Sequence, residues 1–363
     1  MTMAINTASS VPTNTGSADS SAATAGIPGD PEPTTSFTFG ELLSSRTVIG
    51  QTLKELGETH DNLWVLTPDI GATLVEFRDT YPDRFVDVGL SEQACVGIAA
   101  GLANEGNIPV VSGMLPFLSM RALEQVRSDI CYPNLPVKIV GTHGGLVGNG
   151  GSTHYAVEDL GLMTSLVNMT VTSIGDPLMV GEVLRQSMSM TGPLYIRLAV
   201  GKKDKVIYEP GSVAVEIGKG ITAREGTDLT LFAHGETVSQ ALEAAEVLAA
   251  EHGIDARVVD MFTLKPIDAD LIQRCAEETG RFVVVEDHLA YGGLASQVSD
   301  VIADRGLRLE GFRRLGIPQV FAGFGEDTEL RDKHGYGLQA TVDAALAVTE
   351  NRPSACANQG SAA

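Results

Sequence analysis

Short apolar runs alternate along this chain with segments of helical pattern, and that alternation limits the fold more than any other feature. NLWVLTPD, RFVDVG, IPVVSGML, VKIVGTH, MTVTSIG and PLYIRLA read as strands, with helical stretches at 92–104, 119–131 and 178–190 among them. Strands that are apolar throughout need cover on both faces, and helices between them make successive strands parallel. The expectation is an α/β fold of doubly wound type. The pattern pauses at GKKDKVIYEPGS (201–212), a charged stretch marked by Gly and Pro that reads as a linker. It restarts with LTLFAHG, a helix from about 237 to 252, DARVVDM, RFVVVEDH and a Gly-opened helix at 292–304. The chain of 363 residues is therefore expected to hold two domains, a larger parallel-sheet one at 37–200 and a smaller mixed-sheet one at 217–350, joined by 201–216. Residues 1–36 and 351–363 are short of bulky apolar side chains and are expected to be disordered tails.

The 46 acidic and 25 basic residues give a formal charge of -21. Nucleic acid and anionic membrane both call for a basic surface, so neither is expected as a partner. No apolar run approaches the ~20 residues of a membrane span. The first basic residue is Arg46, so the start of the chain has no basic leader, and a cytoplasmic protein is expected. Four scattered cysteines, Cys95, Cys131, Cys275 and Cys356, have no metal or redox spacing and suit free thiols in a reducing compartment.

In open parallel sheets function gathers at the carboxyl ends of the strands. The residues to inspect are Asp69, Glu92, Phe117, His143 and the loop up to His154. Glu92 stands in VGLSEQACVGIAAGLA, the one carboxylate in a small, apolar run. On local sequence it reads as a helix-start residue, with Ser91 as cap and the helix dipole favouring the charge. A second reading is a carboxyl group in a dry pocket, sharing a proton with a ligand nitrogen. In THGGLVGNGGSTHY, His143 and His154 bracket a loop with five glycines among ten residues. Glycines let backbone approach a ligand closely. No carboxylate or cysteine completes a metal set there, so histidines acting as acid, base or anion donor fit better. The chain has no GxGxxG or GxxxxGK[ST] between a strand and a helix, and no G-x-S-x-G elbow. EDHLAYGG (286–293) reads as a strand end turning into a helix through two glycines.

Taken together, these segments resemble the C-terminal half of the transketolase family, from about residue 40 to 348. VDVGLSEQACVGIAAGLA resembles the segment carrying the family's catalytic glutamate. FLSMRALEQVRSDICYPNLPVKIVGTH with GNGGSTH resembles the aromatic segment and histidine loop of its pyrimidine-binding domain. ARVVDMFTLKPID and VVVEDHLAYGGLASQV resemble its C-terminal domain. The resemblance implies thiamine diphosphate and a divalent metal, Mg2+, as cofactors. It implies that Glu92 hydrogen-bonds a ring nitrogen of the aminopyrimidine, that Phe117 stacks on that ring, and that Asp69 and Met114 lie near the cofactor. His154 then sits close to the reacting carbons, while Arg46, Thr73 and His143 hold an anionic sugar substrate. Glu92 and His154 are the implied catalytic pair, and no residue of this chain is an implied metal ligand.

Two positions depart from the family pattern. Gly150 stands where relatives carry an acidic residue, and Val200 where they carry an arginine, with Lys202 and Lys203 nearby. These point to a substrate other than the ordinary pentose phosphates. The family's GDG motif for diphosphate and metal is also absent. The resemblance thus implies a split enzyme, active only with a separately encoded N-terminal subunit that holds the diphosphate, in an assembly of two copies of each subunit (α2β2). The implied reaction is transfer of a two-carbon ketol unit from a ketose to an aldehyde. The alternatives are a 2-oxo acid dehydrogenase β-type subunit, a fragment of a deoxyxylulose-phosphate synthase, and a non-catalytic binding protein on the same fold.

Overall fold

The computed structural model describes residues 42–146, 150–199 and 204–350. Both expected tails, and Val200, Lys202 and Lys203, lie outside that range. The strands are β1 (Leu42–Leu43), β2 (Leu63–Thr67), β3 (Phe85–Asp87), β4 (Ile108–Met114), β5 (Lys138–Thr142), β6 (Thr170–Ser173), β7 (Leu194–Arg197), β8 (Asp204–Lys205), β9 (Ile221–Arg224), β10 (Leu229–Ala233), β11 (Ala256–Asp260), β12 (Thr263–Lys265), β13 (Arg281–Leu289) and β14 (Gly311–Ile317). The apolar runs read from the sequence form two sheets. The larger has the order β12-β6-β7-β5-β4-β2-β3, parallel except for β12 against β6. The smaller has the order β14-β13-β10-β11-β9, parallel except for β9. The fold is α/β with two wound sheets, the smaller one mixed, as expected. One strand crosses between them, since β12 follows β11 in the chain yet closes the edge of the larger sheet.

Successive residues of a strand point to opposite faces, and the core follows that rule. Val65, Val110, Val140 and Ile196 enter one apolar cluster, beneath the helices Ser45–Thr59 and Pro177–Ser187. Their neighbours Leu66, Val111, Ile139 and Tyr195 enter the other, beneath the helix Glu92–Asn104. The same split continues in the smaller sheet, with Leu231 and Val283 on the first side and Phe232 and Val284 on the second. Each fully buried aliphatic side chain is worth about 1.5–3 kcal/mol. The expected helix 119–131 has a different form. It begins at Phe117 and consists of wide π turns at Phe117–Arg121 and Val126–Cys131 around one α turn, Leu123–Gln125. Such turns are rare and cluster at functional sites. Among the described residues no helix is long and apolar enough to cross a membrane.

Candidate active site

The carboxyl ends of β5, β4, β2 and β3 lie side by side and bring the candidate residues to one edge. Glu92 opens its helix and is 3% exposed. The expected Ser91 cap does not form, because Ser91 is held in a tight turn (its N–H donates to Gly89 O, 2.6 Å) and its hydroxyl makes no capping bond. Arg121 pairs with Glu92 instead. Its Nη1 donates to Glu92 Oε2 at 2.7 Å, and the guanidinium lies 4.5 Å from the centre of the Phe117 ring. The far side of this group is His154, whose imidazole meets the Phe117 ring edge-on at 5.2 Å. Arg121 thus links Glu92 to the Phe117 ring, and His154 borders the same ring. Cys95 lies one turn inside the same helix. Burial, with Asp87 and Glu92 adding to it, pushes its thiol up to about 12, so it stays neutral under the carboxylate.

A second group surrounds His143. Its Nδ1 contacts Thr142 Oγ1 at 2.9 Å, and Arg46 Nη2 donates to the same hydroxyl at 3.4 Å. Thr142 Oγ1 thus links the Arg46 guanidinium to the His143 ring. Met114 is the register partner of Thr142, so it stands beside this group, half-buried. The Thr73 carbonyl packs on Gly50, one helical turn beyond Arg46. Asp69 has φ 66, and its N–H donates to Asp87 Oδ1 at 3.1 Å. Asp87 also accepts from Gly89 N at 2.9 Å and so fixes the approach to Glu92. Arg121 and Asp87 were missed in the sequence. Arg121 had a usable signal, since it stands four residues after Phe117 in a helical stretch and so shares its face.

The arrangement fits the pyrimidine half of thiamine diphosphate. A buried carboxyl can exchange a proton with a ring nitrogen, an aromatic ring can stack on the heterocycle, and a half-exposed arginine (49% for its side chain) can leave the carboxylate when a ring arrives. Among the described residues no group of three or more His, Cys, Asp or Glu is placed to hold a metal ion. At Gly150 a β-carbon would lie 2.6 Å from His154 Cβ, so His154 fills the space an acidic side chain would need.

Comparison with known proteins agrees with this geometry. Residues 41–202 match the transketolase pyrimidine-binding domain and residues 218–340 the transketolase C-terminal domain. A protein described as a transketolase C-terminal section from Methanocaldococcus jannaschii is 42% identical over 291 residues, which is 79% of this chain and 90% of that one. The chain belongs to the transketolase family. It is its C-terminal half, and the family depends on thiamine diphosphate. One of the subunits of the apulose-4-phosphate transketolase of Phocaeicola vulgatus, another family member, is 34% identical over 79% of this chain and 95% of its own length. A solved structure titled as a split-gene transketolase, an inactive beta4 tetramer, superposes with a TM-score of 0.76 at 37% identity, covering 85% of this chain and 98% of that one. Deoxyxylulose-phosphate synthases are longer relatives. That of Desulfotalea psychrophila is 35% identical over 84% of this chain but only 47% of its own length.

Proposed function

We propose that the chain is the pyrimidine-side subunit of a two-component transketolase, moving a two-carbon ketol unit from an anionic ketose to an aldehyde. The observation that carries this reading is Glu92, a carboxylate 3% exposed, joined through Arg121 to the Phe117 ring that the His154 imidazole meets edge-on. When bound, thiamine diphosphate supplies a nucleophilic carbon and an electron sink for the ketol unit. Glu92 gives and takes the proton at the pyrimidine ring nitrogen. Phe117 offers its ring for stacking, with Met114 and Asp69 at neighbouring strand ends. His154 moves a proton at the donor hydroxyl, and His143 offers its imidazole to a substrate oxygen. Arg46 and Arg121 hold the anionic group, with Thr73 beside them, and charged hydrogen bonds of this kind are the strong ones.

The partner is a separate N-terminal subunit that binds diphosphate and Mg2+, in an assembly of two copies of each. Support comes from the relatives that this chain covers almost end to end. One is a C-terminal section, one a single subunit of a named transketolase, and one a beta chain that is inactive as a tetramer of its own kind.

The test is co-expression with the neighbouring diphosphate-subunit gene, followed by a screen of ketose donors and aldehyde acceptors with thiamine diphosphate and magnesium. Activity is expected in the mixture and in neither subunit alone. Glu92→Gln should lower it by about 10²–10⁴-fold, the usual share of acid–base catalysis, while sedimentation shows the assembly intact. Full activity in that variant ends the mechanism. Turnover of 2-oxo acids in place of ketoses moves the reading toward the synthase relatives.

A further inference from the structure

The histidine loop leaves the larger sheet at His143 and returns at Ala156. Its neck is closed by Ala156 N donating to His143 O (2.9 Å) and Gly145 N donating to Ala156 O (2.7 Å). Two buried charged residues grip that neck. Arg197, at the end of β7, donates from Nη2 to Ala156 O (3.1 Å) and to the main-chain carbonyl of Asp287 (2.8 Å), and from Nε to Asp159 Oδ2 (2.9 Å). Asp287 comes from β13, in the smaller sheet. Its Oδ1 accepts from Leu146 N (3.1 Å) and Tyr336 OH (2.8 Å). Its Oδ2 accepts from Arg331 Nη2 (3.2 Å), which also reaches Glu236 Oε2 (2.6 Å).

The loop sits directly on this carboxylate. At Gly145, with φ 88, a β-carbon would lie 2.2 Å from Asp287 Oδ2. Burial alone pushes the Asp287 carboxyl up, but Arg331 and Arg197 outweigh it and hold the group below the ordinary carboxylate range. Apolar packing could join the two sheets without burying Glu236, Arg331, Asp287, Arg197 and Asp159. What the ionic cluster adds is direction, a fixed acceptor for one amide at the neck of the loop that carries both histidines.

We infer that Asp287 is a positioning residue, through which the C-terminal half of the chain sets the histidine loop against Glu92 and Phe117. Its catalytic consequence rests on the transketolase reading; its structural consequence does not. Hydrogen–deuterium exchange of the full chain separates the two. Asp287→Asn should speed exchange in 143–157 at least tenfold and leave 281–286 as in the wild type. Gly145→Ala, which pushes the neck off the Asp287 carboxylate without removing a charge, should do the same, and it decides the matter if the asparagine variant does not fold. Tyr336→Phe, which leaves the Leu146 bond in place, should keep the loop as in the wild type. In the two-subunit mixture Asp287→Asn should lower kcat at least tenfold with the KM for thiamine diphosphate unchanged. Unchanged loop exchange in both Asp287→Asn and Gly145→Ala overturns the inference. Equal acceleration across 143–157 and 281–317 also overturns it, since that marks lost packing only. An inactive wild-type mixture would count against the reaction and leave the exchange result to judge Asp287.

Discussion

At the residue scale the site turns on one oxygen, Glu92 Oε2, and on the arginine that holds it. Arg121 lies half in solvent and half over Phe117, so it has little to lose by exchanging a carboxylate for a substrate anion. Arg121→Met keeps the contact with the ring and removes the charge. It should raise KM for anionic donors about ten- to hundredfold, the worth of a hydrogen bond to a charged group, with a much smaller change in kcat. A KM that depends less steeply on salt would accompany it, since Arg46 remains. Glu92 was legible in the sequence as a lone carboxylate in a small, apolar helix start. Arg121 was not read, because its pairing spans 29 positions and depends on where Phe117 starts its wide turn. The Ser91 cap was expected from residue type alone and fails because the turn at Gly89 fixes Ser91 first.

At the element scale the strands were legible because they are apolar on both faces, and burial on two sides leaves few other folds. The wide turns at Phe117–Arg121 and Val126–Cys131 carry no such mark. An extra residue per turn leaves no periodic trace in so short a stretch, and the position of Phe117 is fixed by Pro116 and the end of β4. Caps are more local and better written. The helix Ala269–Glu278 begins at Asp268, whose Oδ1 accepts from Leu271 N at 3.0 Å and Oδ2 from Gly220 N at 3.3 Å. Asp268→Ala should cost about 1 kcal/mol, read as a lower urea midpoint with an unchanged slope.

Across the whole molecule, the apolar clusters run on from one sheet into the other, and buried polar groups mark where the chain joins its halves. Asp260, at the end of β11, accepts from Tyr208 OH at 3.1 Å, and its Oδ1 has no partner among the described residues. Burial pushes this carboxyl up to about 8, with Asp176 adding to the rise and the Tyr208 hydroxyl opposing it. An unfolded aspartate releases its proton near pH 4. Between about pH 4 and pH 8 the folded chain thus holds the extra proton, and stability falls as pH rises through that window. Asp260→Asn should flatten the slope and raise the denaturation midpoint above the wild type at pH 8. The strand β12 was not legible, since TLK holds too few residues to show which sheet it joins. That short strand has a consequence for synthesis on the ribosome. Until Thr263–Lys265 emerge, β6 presents an open edge, and an open edge recruits strands from other chains. The larger sheet, complete in its candidate site residues by β7, must wait unsealed while β8 to β11 are made, and a nascent chain stalled in that interval is expected to aggregate.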